Sequence, residues 1–125
     1  SVAVLEHLTE LPKIVAKAAL LMKEGATFNA GIPSEGGLLW KASYMSTTGL
    51  SFWARNKLNY NVIMKYEHVN TAHEIKSIIN YIFENVEETR FPLPFHHFSF
   101  YTYFQAKKPN IEKALYLLNR YENIT

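Results

Sequence analysis

The sequence predicts a single α+β domain over residues 1–125, in which a small antiparallel sheet carries helices on one face. Three observations lead to this prediction. The chain has 125 residues and is 48% hydrophobic, which is enough for one core. Apolar residues alternate with period two at 38–45 and 95–105, as in strands. They recur every three or four residues at 72–87 and 110–122, as in amphipathic helices.

The N-terminal segment also has the spacing of an amphipathic helix. Its apolar stripe consists of Val4, Leu8, Leu11, Val15, Ala18 and Met22. Because proline is tolerated only in the first turn of a helix, Pro12 predicts a helix that begins near Glu10, with Thr9 as its N-cap. Gly25 ends this helix, and the glycine-rich residues 25–37 predict a loop.

The middle of the chain is predicted as strands, with a helix left open as the alternative. The alternation at 38–45 predicts one strand, and Ser46 to Gly49 predicts a turn. Residues 50–69 are rich in β-branched and aromatic side chains, which favours two further strands. The same segment also contains apolar residues with helical spacing. If 50–69 is helical, the fold becomes an all-α bundle.

The second half of the chain has the clearest local signals. Thr71 and Glu74 have the spacing of a capping box, which predicts a helix over 72–87. Residues 90–94 contain two prolines and predict an extended linker, followed by the strand 95–105. Asn110 is expected to cap the last helix, over 110–122. The buried stripe of that helix is predicted to be Ile111, Ala114, Leu115, Leu118 and Tyr121.

Composition excludes several kinds of chemistry. The chain has no cysteine, and its eleven acidic residues are all glutamates. Thiolate nucleophiles and Cys-ligated zinc are therefore excluded, and the absence of disulfides fits an intracellular, cytoplasmic protein. His68 and His73 are five residues apart and do not form an i, i+4 zinc pair, so no metal is predicted. We also predict no cofactor and no membrane partner, and leave the formation of a homo-oligomer open.

The strand 95–105 is unusually rich in aromatic and hydrogen-bonding side chains. Alternation predicts that Ser99, Tyr101 and Tyr103 share an exposed face with His97 and Gln105. The opposite face, predicted to enter the core, consists of His96, Phe98, Phe100, Thr102 and Phe104.

The segment His97-Phe98-Ser99-Phe100, followed by a short linker and a helix, resembles one copy of the His-x-Ser/Thr motif of the 2H phosphoesterases. That family cleaves cyclic phosphates or RNA phosphodiesters. The resemblance implies a second copy across a cleft, with one His as general base and the other as general acid. The candidate second copy is His68-Val69-Asn70, in which Asn70 replaces the Ser or Thr of the motif. A phosphodiesterase that uses His97, Ser99 and His68 is therefore the alternative function.

The preferred function rests on the predicted sheet surface. Basic groups interleaved with aromatic rings suit single-stranded nucleic acid, because phosphates pair with the charges and bases stack on the rings. The same residue types are enriched at protein interfaces. We therefore predict a noncatalytic binding module with an aromatic, mildly basic surface and a protein or single-stranded nucleic acid as partner. The predicted surface residues are Lys41, Trp53, Arg55, Lys57, Tyr101 and Tyr103.

Overall fold

A computed structural model describes residues 4–33, 69–95 and 98–122. Within these residues the fold is α+β, as predicted, with helices packed against a three-stranded antiparallel sheet. The predicted strands at 38–45 and 50–69 lie outside the described residues. The elements are a 3₁₀ helix (Leu5–His7), α1 (Leu11–Leu21), β1 (Phe28–Pro33), α2 (Ala72–Ile82), β2 (Phe83–Pro92), β3 (Ser99–Pro109) and α3 (Ile111–Glu122).

Strand β3 is the centre of the described sheet, whose order is β1-β3-β2. Both neighbours run antiparallel to it, so that Ala30 of β1 and Glu88 of β2 lie on either side of Phe104. Phe104 is one of the largest fully buried side chains. Because the side chains of a strand alternate between faces, Thr102, Phe104 and Ala106 define the core side of the sheet.

The helices bury apolar stripes around this core. Helix α2 contributes Ile75, Ile79 and Ile82, which recur at helical spacing and are all buried. Helix α1 packs against both α2 and α3. Ala16 and Ala19 of α1 have no exposed surface. Such small side chains allow two helix axes to approach closely, since the distance between packed helices depends on the side chains at the contact.

The capping box at the start of α2 is confirmed. The hydroxyl of Thr71 accepts a hydrogen bond from the backbone N–H of Glu74 at 3.2 Å. In return, the Glu74 carboxylate accepts from the backbone N–H of Thr71 at 2.7 Å. These hydrogen bonds and the charge of His73 hold the pKa of Glu74 below its usual value, although slight desolvation acts in the opposite direction.

The predicted C-terminal end of that helix is wrong. Helix α2 ends at Ile82 and strand β2 begins at Phe83, so the predicted helix 72–87 is split between two elements. The predicted linker 90–94 likewise begins within β2, which continues to Pro92. The physical reason is pairing with β3: backbone hydrogen bonds to the next strand along the chain override the local helical spacing.

The prediction of a loop over residues 25–37 is also wrong in part. Gly25 does adopt a left-handed conformation, with φ of +76°, after α1 has ended at Leu21. Residues 28–33, however, form β1, which pairs along its whole length with β3. Ile32 is buried on the core side. The glycines and the proline in the sequence predict a loop here. The strand forms nevertheless, because pairing with β3 stabilises it.

Two helix starts test the predicted caps. The N-cap of α1 is Glu10 and makes no side-chain cap bond, so the prediction of Thr9 as cap is wrong, although Pro12 does lie in the first turn. Asn110 is confirmed as a cap, because its side-chain oxygen accepts from the backbone N–H of Lys113 at 3.0 Å.

The predicted buried stripe of α3 is only partly correct. Ala114 is buried and Leu118 is half-buried, whereas Ile111 and Leu115 are exposed. The reason is that the core covers one flank of α3, the side of Ala114. Ile111 and Leu115 lie on the other flank of the same stripe.

Candidate binding surface

A β-bulge at Phe100 decides which side chains of β3 reach the surface. Phe91 pairs with Tyr101, but the next residue, Pro92, pairs with Ser99, so Phe100 is the extra residue in the ladder. A bulge shifts the in-and-out alternation by one position. Ser99 is consequently buried completely, while Tyr101 is exposed. The prediction that Ser99 shares an exposed face with Tyr101 and Tyr103 is therefore wrong.

Beyond the bulge, the predicted faces are confirmed. Thr102 and Phe104 are buried, and Tyr101 and Tyr103 are exposed. Before it, the assignment fails, because Phe98 is exposed and Phe100 itself is only half-buried.

Exposed apolar side chains are concentrated around the connection between β2 and β3. Each of the residues concerned is between 38% and 69% exposed. Single exposed apolar residues are normal in proteins, but a continuous cluster marks an interaction site. We call this cluster the aromatic patch; it consists of Phe91, Leu93, Phe95, Phe98, Tyr101 and Tyr103.

The members of the aromatic patch lie both on the sheet and beyond it. On the sheet, Phe91 lies directly opposite Tyr101, and Tyr103 follows on the same face. Beyond the sheet, the N–H of Phe98 donates to the carbonyl of Phe95 at 3.0 Å, which holds these two patch residues close together.

A cluster of ion pairs lies on the opposite face of the sheet from Phe91 and Tyr101. Glu88 of β2 accepts from Arg90 Nε at 2.9 Å and lies 2.5 Å from Lys76 Nζ of α2. Burial raises the pKa of Glu88, but the hydrogen bonds and charges of Lys76 and Arg90 outweigh it and leave the pKa below its usual value. The six side chains of the patch itself are uncharged.

Only part of the predicted site lies in the described residues. The structure brings Tyr101 and Tyr103 together on one exposed face and places Ser99 in the interior. The basic half of the predicted surface, together with both candidate histidines, remains a prediction. The predicted site residues outside the described ranges are Lys41, Trp53, Arg55, Lys57, His68 and His97.

Asn70, which occupies the hydroxyl position of the second motif copy, has a structural role. Its side-chain nitrogen donates to the carbonyls of Leu5 at 2.9 Å and Leu8 at 2.6 Å. The backbone N–H groups of Val69 and Asn70 both donate to the carbonyl of Glu6, at 2.9 and 3.0 Å. An amide has two N–H donors, and both are used here. Asn70 thus ties the 3₁₀ helix to the start of α2.

Three members of the aromatic patch are not predicted from the sequence. Phe91 and Leu93 alternate with two prolines in the predicted linker 90–94, and Phe95 opens the predicted strand 95–105. A proline cannot donate to a sheet ladder, so it excludes this segment from the centre of a sheet. Apolar residues beside such prolines lie at a sheet edge, where fewer neighbours bury them, and this signal could have identified the patch.

Metal sites and membrane spans are two further kinds of site that the described ranges could contain. No cluster of three or more His or Glu side chains there is arranged to hold a metal ion. None of the helices described has both the length and the apolar character of a membrane span.

No protein-family model, curated protein or solved structure matches this chain.

Proposed function

We propose that this protein is a noncatalytic interaction domain that binds a protein partner through the aromatic patch. The observation that carries the proposal is the exposure of six large apolar side chains on β2, on β3 and in the connection between them. Burying such surface contributes roughly 25 cal/mol for each Å² removed from water. Phe91 and Tyr101 lie side by side, so one partner side chain can contact both rings. Aromatic residues in such clusters commonly dominate binding energy.

A protein fits the described part of this surface better than a nucleic acid. Binding of single strands requires cations beside the stacking rings, because phosphate contacts supply much of the affinity. Arg90 and Lys76 are engaged by Glu88 on the opposite face, and the exposed Lys107 lies on the face of Tyr103 but four residues further along β3. Lys41, Arg55 and Lys57 would supply the missing charge if they join the patch, and this makes RNA the main competing partner.

The burial of Ser99 and the hydrogen bonds of Asn70 support a noncatalytic function. A phosphodiesterase of the 2H type requires hydroxyls that reach a phosphate in an open cleft. Ser99 has no exposed surface, and Asn70 uses its amide donors on Leu5 and Leu8.

The experiment that tests the proposal is a peptide selection with a matched variant. A random peptide library is selected on the wild-type domain alone, and the enriched peptides are then assayed on Tyr101→Ala/Tyr103→Ala. Tyr116→Ala is the control, because Tyr116 is an exposed tyrosine on α3 and not in the patch. We expect peptides that bind the wild type and the control but not the double variant.

A second titration separates the two partner classes. Labelled single-stranded RNA is added at two salt concentrations. Salt-sensitive RNA binding that depends on Tyr101 and Tyr103, without enrichment of any peptide, would contradict a protein partner and support a nucleic-acid platform.

A further inference from the structure

We propose that the partner bound by the aromatic patch is an extended basic segment that adds as a strand to the outer edge of β2. This inference rests on the proposed function, because Phe91 of the patch belongs to β2. It adds the conformation of the partner, its charge and the strand that it pairs with.

Strand β2 is the accessible edge of the described sheet. Within that sheet it pairs with β3 on one side only. The other edge strand, β1, is buried over residues 30–33. The residues of β2 beside the buried side chains of β3 are only half-buried: Val86, Glu88 and Arg90. An edge strand presents a row of backbone N–H and C=O groups that another chain can pair with.

The sequence of β2 permits this pairing along almost its whole length. A proline cannot donate to a sheet ladder, and Pro92 at the end of β2 is the only proline in the strand. Residues 83–91 are as long as most strands of globular proteins. An extended peptide that adds to such an edge gains affinity from main-chain hydrogen bonds and specificity from alternate side chains.

The charges of β2 favour a basic partner. The strand contains three glutamates and one arginine, and Glu88 is paired with Arg90. Glu84 and Glu87 are exposed, and neither carboxylate has an ion pair or hydrogen bond within the described residues. Lys107 of β3 lies diagonally across from Glu87 without forming an ion pair. Opposite charges stabilise neighbouring strands and like charges destabilise them, so these glutamates disfavour a second copy of β2 and favour a basic strand.

The register of the sheet predicts the side-chain pattern of the partner. Glu87 and Phe91 lie on the same exposed face, four residues apart, because side chains alternate along a strand. A strand beside β2 therefore places a basic residue next to Glu87 and an apolar residue next to Phe91, also four positions apart. In antiparallel pairing, which is slightly more stable per residue than parallel pairing, the apolar residue comes first.

Backbone methylation of a peptide tests the strand pairing. The probe is a fluorescein-labelled, threonine-based peptide with Phe at one position and Lys four positions later. Methylation of an amide nitrogen removes its donor, so two versions are made, each methylated on one of the two sets of alternate residues. We expect fluorescence anisotropy to show at least tenfold weaker binding of one version and a small change for the other. Equal affinity of the two versions, or no binding of the unmethylated probe, would overturn the inference.

A charge exchange tests the contact with Glu87. Glu87→Lys is expected to weaken binding of the probe about fivefold, and replacement of the Lys in the probe by Glu should restore it. Glu24→Lys is the control, because Glu24 is exposed and lies outside the sheet. Circular dichroism confirms that both variants are folded. If Glu87→Lys binds both probes as the wild type does, a basic partner at this position is excluded.

The two proposals fail in different ways. A peptide that binds through Tyr101 and Tyr103 but tolerates methylation on either set of residues overturns the strand pairing and leaves the proposed function intact. Peptides whose binding depends neither on these tyrosines nor on their own amide groups overturn both.

Discussion

Tyr101 of β3 lies directly opposite Phe91 of β2, and both rings are exposed although they stand on a sheet whose other face forms the core. Three residues further along β3, Phe104 is buried against that core. A single strand thus carries a buried aromatic side chain on one face and exposed aromatic rings on the other.

Substitutions on the two faces of β3 should differ sharply in their effect on stability. Phe104→Ala removes a buried ring and is expected to lower the free energy of unfolding by about 3–5 kcal/mol. Tyr103→Ala removes an exposed ring and should cost less than about 1 kcal/mol, the worth of a cross-strand pair. Phe100→Ala should lie between them, since Phe100 is half-buried. Urea denaturation measures all three, and equal losses at 103 and 104 would contradict the assignment of the faces.

Asn70→Ala should destabilise the junction between the 3₁₀ helix and α2. The change leaves the carbonyls of Leu5 and Leu8 without their side-chain donor and is expected to cost about 1–3 kcal/mol. Asn70→Asp should cost at least as much, because a carboxylate cannot donate to a carbonyl. The control is Asn80→Ala on the exposed side of α2, which should change stability little. Thermal denaturation compares the variants, and a neutral Asn70→Ala would show that the tether is dispensable.

Glu88→Gln should change how stability depends on pH. The pKa of Glu88 is lowered in the folded protein, so its contribution is complete above the unfolded pKa near 4.5 and is lost as the pH falls through the folded pKa. The contribution of this partly exposed group is about 1 kcal/mol. The variant should therefore be less stable than the wild type at neutral pH, and the difference should shrink below pH 4.5. A difference that stays constant during acid titration would exclude this mechanism.

Gly25→Ala should isolate the cost of a left-handed backbone. The φ of Gly25 is +76°, and a Cβ added there would meet no atom within 4 Å. The change is therefore expected to cost about 1 kcal/mol through backbone strain alone. Gly25→Asn should cost less, because asparagine tolerates this conformation better than alanine. If both variants are equally unstable in urea, the loss has another origin.

The predictable parts of the fold are those decided by neighbouring residues. The capping box of Thr71 and Glu74 and the cap at Asn110 depend on contacts between residues three positions apart, so they are visible in the sequence. Strands β1 and β2 are not, because pairing with β3 stabilises them.

The same distinction applies to the site. Alternation along β3 correctly predicts that Tyr101 and Tyr103 share an exposed face. It fails at Ser99, because the bulge at Phe100 shifts the alternation and has no glycine to signal it. Phe91 and Leu93 are not predicted as surface residues, because two prolines between 90 and 94 predict a linker and its apolar side chains give no periodic pattern.

The most direct test of the central claim is the affinity of one selected peptide for four proteins, measured by fluorescence anisotropy. These are the wild type, Tyr101→Ala/Tyr103→Ala, Phe91→Ala and the control Tyr116→Ala. The account predicts at least tenfold weaker binding to both patch variants, which corresponds to about 1.4 kcal/mol, and unchanged binding to the control. Equal affinity for all four proteins would contradict the claim that the aromatic patch is the binding surface.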